Sequence, residues 1–206
     1  MPQYAIRYLK CALVLVFLLL VCAPLIVADE AVGIAWDAAR PLSWSDFQGV
    51  APPTSGNLTE PAAIHMTIHW RVSYSATCAN GRTWSGRVET AEVSNVMSPG
   101  LSWAVPGQTN ALILLHEQTH FDLNEVYRRK LEHALLSVQT QGGSQQGVVD
   151  ALNERVHAIA KQLLNRLVAM QDVYDAETSP GLNQPVQNRW KDQVSLWLID
   201  PSLAPS

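Results

Sequence analysis

Residues 111–122 read ALILLHEQTHFD and contain the pattern His-Glu-x-x-His. Because His116 and His120 are four residues apart, a helix places both imidazoles on one face, where they can bind a single metal ion. Glu117 flanks that face and can accept a proton from a water molecule held there. The apolar run before the pattern predicts a helix that enters the core. The segment predicts a metal-dependent hydrolase centre, with a helix of hydrogen-bonded core histidines as the alternative.

A catalytic zinc site needs a third protein ligand. Glu125 lies about 180° around the helix from His116, so it cannot complete the same coordination sphere. The third ligand is therefore expected from another element. Asp175 and Glu177 are the best-placed carboxylates, because a second long helix is expected to fold back on the first as an αα-hairpin. Tyr174, beside them, is a candidate hydrogen-bond donor to an oxyanion formed at the metal.

The elements that would position these residues can be located from periodicity. Residues 64–74 alternate apolar and polar side chains, which predicts a half-buried strand, and a second strand follows to form a hairpin. His65 and His69 fall on the polar face of the first strand, about 13 Å apart, so they are expected to be solvated. The predicted elements are strands at 64–74 and 83–96, helices at 110–138, 148–174 and 185–199, and a flexible loop at 139–146.

These elements predict an α+β fold, with a small antiparallel sheet packed against a zincin-like metal-bearing helix and two further C-terminal helices. The segment 31–49 carries Trp36 and Trp44 among turn-forming residues. It is expected either to dock in a groove as an extended strap or to form ordinary strand-and-turn packing. The residues after Asp200 look like a disordered tail.

The N-terminus resembles a secretory signal. Arg7 and Lys10 precede an apolar run at 12–27, and Ala28 ends a small-residue cleavage site. The predicted organisation is a signal peptide at 1–28, a single metallopeptidase-like domain at 29–200 and a tail at 201–206. A secreted or periplasmic location follows. An uncleaved membrane anchor is the alternative, although the apolar run is short for a span.

Charge and cysteine content exclude several classes of function. The net charge is −4, and removing Arg7 and Lys10 takes it to −6. That acidity, without a cluster of basic residues, argues against a nucleic-acid partner. Cys11 and Cys22 leave with the predicted signal, so only Cys78 remains. The mature chain can form no internal disulfide, and no cysteine pair is left to bind zinc.

Four separated motifs make the chain similar to the bacterial family called domain of unknown function 922, whose members are predicted secreted zinc-dependent proteases. They are RPLSWSDFQG at 40–49, Ser102-Trp103, LHEQTHFD at 115–122, and YDAET at 174–178 with Gly181, Asn183, Gln187 and Trp190. The resemblance implies zinc ligation by His116 and His120 and a catalytic role for Glu117. It also implies a peptide or protein substrate.

One position departs from this family's pattern. After Tyr-Asp-x-Glu-Thr the family continues with an acidic residue, a histidine and a glycine, whereas this chain reads Ser179-Pro180-Gly181. If that histidine is a ligand or a transition-state donor, Pro180 cannot replace it. The leading prediction is therefore a zinc peptidase completed by Asp175 or Glu177. The alternative is a catalytically inactive family member that acts as an envelope binding or scaffold protein.

Overall fold

The computed structural model describes residues 33–52, 60–79 and 81–205. The predicted signal peptide at 1–28 lies outside these residues. The strands are β1 (Ile34–Ala35), β2 (Ala62–Ala63), β3 (Met66–Cys78), β4 (Trp84–Met97), β5 (Trp103–Ala104) and β6 (Gln139–Gly142), and the helices are α1 (Ala111–Leu136), α2 (Gln145–Thr178) and α3 (Gln184–Ile199). Small antiparallel sheets with three helices in the described ranges confirm the α+β class.

The hairpin of β3 and β4 forms the body of the main sheet. Its register runs from Met66 opposite Met97 to Cys78 opposite Trp84, with one irregularity at Ser73/Tyr74. The alternation of β3 places Ile68 in the core, with Trp70 and Val72 packed against it. His65 and His69 are exposed, as predicted. The apolar face of the hairpin therefore packs against the helices.

Helix α1 is the central element of the helical layer. Asn110 caps it by accepting hydrogen bonds from the backbone N–H groups of Leu112 and Ile113. Its apolar stripe, which includes Leu123, Leu131 and Leu135, is completely buried. The buried stripe of α2 packs in the same core through Val148, Leu152, Val156 and Leu167. His120 contacts Gln171 and His116 contacts Thr178, so α1 and α2 are antiparallel, as the predicted αα-hairpin requires.

Two predictions about irregular segments were wrong. Residues Gln139–Gly142, within the predicted flexible loop, form β6 and pair with Trp84–Arg87 of β4. The tail after Asp200 is ordered: it begins with a 3-10 turn at Pro201–Leu203, and the Pro205 carbonyl accepts a hydrogen bond of 3.0 Å from the Tyr127 hydroxyl. Both segments are held through backbone groups, which side-chain composition does not reveal.

The N-terminal segment docks as a strap along α1. The Trp36 indole N–H donates to Asp122 Oδ1 at 2.8 Å, and the Leu42 N–H donates to Gln118 Oε1 at 2.7 Å. The Arg129 guanidinium lies 5.2 Å above the Trp36 ring. Asp122 is thus used to hold the strap, on the side of α1 away from the histidines. Among the described residues, no helix is both long and apolar enough to cross a bilayer.

Candidate metal centre

Helices α1 and α2 bring three ligand atoms to one point. His116 Nε2 and His120 Nε2 are 3.0 Å apart, and Asp175 Oδ1 lies 3.1 Å from the first and 2.8 Å from the second. Within the described part of the chain, these three side chains form a group that could hold a metal ion. Three ligands in a tetrahedron around zinc lie about 3.3 Å apart. The donor set therefore fits a metal ion after shifts of a few tenths of an ångström.

Two polar side chains of α2 contact the outer nitrogens of these rings. His120 Nδ1 lies 2.5 Å from Gln171 Oε1, and the Gln171 amide Nε2 donates to the His120 carbonyl at 3.1 Å. His116 Nδ1 lies 3.4 Å from the Thr178 hydroxyl, which itself donates to the Tyr174 carbonyl at 2.7 Å. Each imidazole is thereby held at the nitrogen that faces away from Asp175.

Glu117 is buried beside the cluster. Its Oε2 accepts a hydrogen bond of 3.0 Å from the Ile64 N–H, in the link between β2 and β3. Burial is the largest influence on this carboxyl, and it raises the pKa of Glu117 to about 7, although His120 and the Ile64 N–H act in the opposite direction. A carboxylate with this pKa can both take and release a proton near neutral pH.

The charges of the cluster are strongly coupled. Burial lowers the pKa of His116. Burial also opposes charge on His120, but the hydrogen bond to Asp175 and the charge of Glu117 outweigh it, so the pKa of His120 is raised. Burial would raise the pKa of Asp175, but the contacts with His116 and His120 lower it well below its usual range. The cluster thus combines an ionised Asp175 carboxylate with a His120 imidazole that binds a proton more readily than an ordinary histidine.

The ring of Tyr174 packs against both histidine rings. Its ring stacks on His116 at 4.7 Å between centroids, with an interplanar angle of 16°, and meets His120 edge-on at 4.9 Å. Its hydroxyl is buried next to the Thr119 side chain, and burial raises the pKa of Tyr174. The cavity is lined by other side chains. Tyr174 thus packs against both imidazole rings, and its role as an oxyanion donor stays a prediction.

Glu177 is not brought into the cluster. Its Oε2 accepts a hydrogen bond of 2.7 Å from the Trp190 indole N–H, and Trp190 in turn packs edge-on against Tyr174. The other carboxylate considered on α1, Glu125, is buried in ion pairs with Arg128 and Arg129. Of the two carboxylates proposed as the third ligand, Asp175 is therefore the one beside the histidines.

A cavity of about 260 Å³ opens over the cluster. Its walls come from β2 and its flanks, from α1, and from α2 with the turn that follows it. The lining residues are Glu60, Ala62, Ala63, Ile64, Met66, His116, Glu117, His120, Gln171, Asp175 and Pro180. Pro180, where the resemblance to the family predicted a histidine, thus lines the same cavity as the candidate ligands.

Sequence reasoning missed Gln171 and Thr178. A signal for them was available, because Gln171, Tyr174, Asp175 and Thr178 follow the spacing i, i+3, i+4, i+7 and so share one face of α2. No comparable sequence pattern marks the short strand β2, whose alanines form part of the apolar cavity wall. Its two alanines are marked as a strand by their pairing with β5, where Ala62 lies opposite Ala104 and Ala63 opposite Trp103.

Comparison with known proteins places the chain in a family. Neither a curated protein nor a solved structure is significantly similar to it. The family described as bacterial protein of unknown function (DUF922) matches residues 47–181, which is more than half of the chain. The matched range contains all three candidate ligands, Glu117 and the cavity walls. The chain belongs to the DUF922 family.

Proposed function

We propose that this protein is a zinc-dependent peptidase in which α1 is a zincin-like metal-bearing helix. The observation that carries the proposal is the convergence of two imidazole nitrogens and one carboxylate oxygen within 2.8–3.1 Å of each other. It is supported by a cavity above them and by a buried glutamate beside them. His116, His120 and Asp175 would hold the ion.

The donor set favours a borderline metal such as zinc, because imidazole nitrogen and carboxylate oxygen are both common zinc ligands. Two histidines and one carboxylate also bind Fe(II) in oxygenases. Glu117 favours hydrolysis between these two chemistries, since a proton acceptor buried next to the ion is what the activation of water requires.

When bound, zinc would supply Lewis acidity toward water and toward the carbonyl group of the substrate. Glu117 would take the proton of the attacking water. Because the Ile64 N–H already donates to Oε2, Oε1 would be the more basic oxygen and would accept that proton. The same carboxyl would then pass the proton to the departing amine.

The cavity walls fit this chemistry. Ala62, Ala63, Ile64 and Met66 are apolar and limit access of bulk water to Glu117. The signal-like N-terminus adds the proposal that the enzyme acts in a secreted or periplasmic location, on peptides or proteins.

The test begins with metal content. The protein purified without added metal should contain about one zinc per chain by mass spectrometry, and His116→Ala should not retain it. Glu117→Gln should keep zinc but lose roughly 10²–10⁴-fold in cleavage of a mixed peptide library, the range typical of a general base. A metal-free wild type, or full activity in Glu117→Gln, would reject the proposal in favour of a binding or scaffold protein.

A further inference from the structure

The orientation of the Gln171 amide determines which nitrogen of His120 carries hydrogen. An amide oxygen only accepts hydrogen bonds and an amide nitrogen only donates them. The Gln171 NH2 group lies on the His120 carbonyl at 3.1 Å, and that partner can only accept. Gln171 Oε1 therefore faces His120 Nδ1, at 2.5 Å, and Nδ1 must be the donor. In the neutral ring, Nε2 is then left without hydrogen.

Thr178 imposes the same choice on His116 through a longer contact. Its hydroxyl hydrogen is used in the 2.7 Å bond to the Tyr174 carbonyl. What remains toward His116 Nδ1, at 3.4 Å, is an oxygen lone pair. His116 Nδ1 therefore donates, and its Nε2 also lacks hydrogen. At this distance the bond is weaker than that of Gln171, so Gln171 is the stronger of the two constraints.

We propose that Gln171 and Thr178 are positioning residues that hold both histidines as Nδ1–H tautomers, so that both Nε2 lone pairs face Asp175. The inference rests on the metal site of the proposed function and deepens it. Outer hydrogen bonds of this kind fix the tautomer and orientation of metal-bound histidines elsewhere. Here they both come from the helix that also supplies Asp175.

The need for such positioning follows from Asp175 itself. Its Oδ1 lies 2.8 Å from His120 Nε2, which is an ideal distance for accepting a hydrogen bond from an Nε2–H tautomer. That tautomer would place hydrogen on the atom that has to bind the metal. Gln171 opposes it by offering an acceptor to Nδ1. With both rings held as Nδ1–H, three acceptor atoms face one another, and only a positive species, a metal ion or a proton, can stabilise them.

The first test needs no substitution. Long-range ¹H–¹⁵N spectra of the zinc-free wild type, recorded at a pH where the rings are neutral, report which nitrogen of each ring carries hydrogen. We expect Nδ1–H for both His116 and His120. Nε2–H in both rings would overturn the inference. Because this readout requires no bound metal, it remains decisive even if the wild type proves not to bind zinc, an outcome that would reject only the proposed function.

The second test uses zinc affinity measured by competition with a chelator. Gln171→Leu removes the acceptor at similar size and should weaken zinc binding by roughly 10–100-fold, the usual effect of losing such a partner. Gln171→Glu keeps an acceptor at Nδ1 and should restore most of the affinity. Thr178→Val should show a smaller loss, because its contact is longer, and Thr178→Ser should recover it.

A matched control is Gln162→Leu, an exposed position on the same helix, which should leave the zinc affinity unchanged. The far-ultraviolet circular dichroism and melting temperature of each zinc-free variant separate positioning from folding. Zinc affinity in Gln171→Leu equal to that of wild type would overturn the inference. So would equal losses in Gln171→Leu and Gln171→Glu accompanied by loss of structure in both, since that pattern marks a purely structural role.

Discussion

Replacing Glu117 by glutamine in the metal-free protein should stabilise the fold, and only above a definite pH. The side-chain oxygen of the introduced amide can still accept the hydrogen bond that Glu117 Oε2 receives from the Ile64 N–H at 3.0 Å. What the substitution removes is a carboxylate that is 3% exposed and becomes charged in an environment that penalises charge. The variant therefore removes the cost of ionising this buried carboxyl, together with its favourable charge interaction with His120.

The magnitude follows from linkage. Burial raises the pKa of Glu117 from 4.5 to about 7. Each pKa unit corresponds to 1.36 kcal/mol, so the folded wild type loses about 3 kcal/mol relative to its unfolded state as the pH rises from about 4.5 to about 7. The sign is that of an acid with a raised pKa: the folded state holds a proton that the unfolded state has released. Glutamine does not titrate and avoids this loss.

Urea unfolding in the presence of a chelator measures the effect. At pH 4 the two proteins should have nearly equal free energies of unfolding, and at pH 8.5 the variant should be more stable by about 3 kcal/mol. Glu92→Gln is the matched control, because it loses the same charge at a side chain that is 73% exposed. A difference between Glu117→Gln and wild type that is the same at both pH values would refute the claim that burial dominates this carboxyl.

Three further changes test other parts of the structure. Gly181 has φ +77°, and a Cβ added there would lie 3.4 Å from the Ile113 Cα. Gly181→Ala should therefore lower the free energy of unfolding of the protein by about 1–2 kcal/mol. Gly143→Ala, where an added Cβ meets nothing within 4 Å, should not lower it. Burial raises the pKa of Asp46, but hydrogen bonds from Ser43 and Arg40 outweigh it and the net pKa is lowered. Asp46→Asn should therefore cost about 1 kcal/mol at pH 7, since the Arg40 partner is half exposed and screened, and the cost should fade as the pH drops below about 4. Zinc at 100 times its dissociation constant should add about 2.7 kcal/mol of stability, measured by thermal unfolding, and His120→Ala should abolish that gain.

The helices and the hairpin were predictable because their apolar periodicity is long. The predicted helix at 110–138 is observed as Ala111–Leu136, and the one at 185–199 as Gln184–Ile199. Strand β6 was not predictable, because its Gln-Thr-Gln-Gly sequence has no strand pattern and it exists only by pairing with the end of β4. A segment held by backbone hydrogen bonds leaves little trace in its own side chains.

The third candidate ligand shows a different limit. Asp175 and Glu177 are two residues apart, so they point about 200° apart around α2. Which one faces α1 depends on the rotation of the helix about its axis, and that rotation is set by buried side chains such as Leu167, Tyr174 and Thr178. Asp175 lies between Gln171 and Thr178 on this face, whereas Glu177 faces Trp190 of α3. The sequence narrowed the ligand to two carboxylates, and packing distinguishes them.

Under the proposed function, the proline at position 180 would affect turnover. Asp175 already supplies the third donor atom of the cluster, so under the proposed function a histidine introduced at position 180 would be left to act on the substrate. Pro180 lines the cavity here and has no hydrogen-bond donor. Gln171 also lines the cavity and carries an amide NH2 group. That group already donates a hydrogen bond to the His120 carbonyl. Among the described residues of the cavity wall, Gln171 and Pro180 therefore offer no side-chain donor to an oxyanion that the proposed reaction would form.

Introducing such a donor should therefore affect the rate of cleavage and not the metal affinity. A well-placed oxyanion donor is worth roughly 10²–10³ in kcat, so Pro180→His should raise kcat by up to that factor, with an unchanged zinc dissociation constant. Pro180→Ala is the matched control, because it introduces the same backbone N–H as Pro180→His but no side-chain donor, and its kcat should stay at the wild-type level. Tighter zinc binding in Pro180→His would instead mean that position 180 reaches the metal, and the assignment of Asp175 as the third ligand would have to be revised.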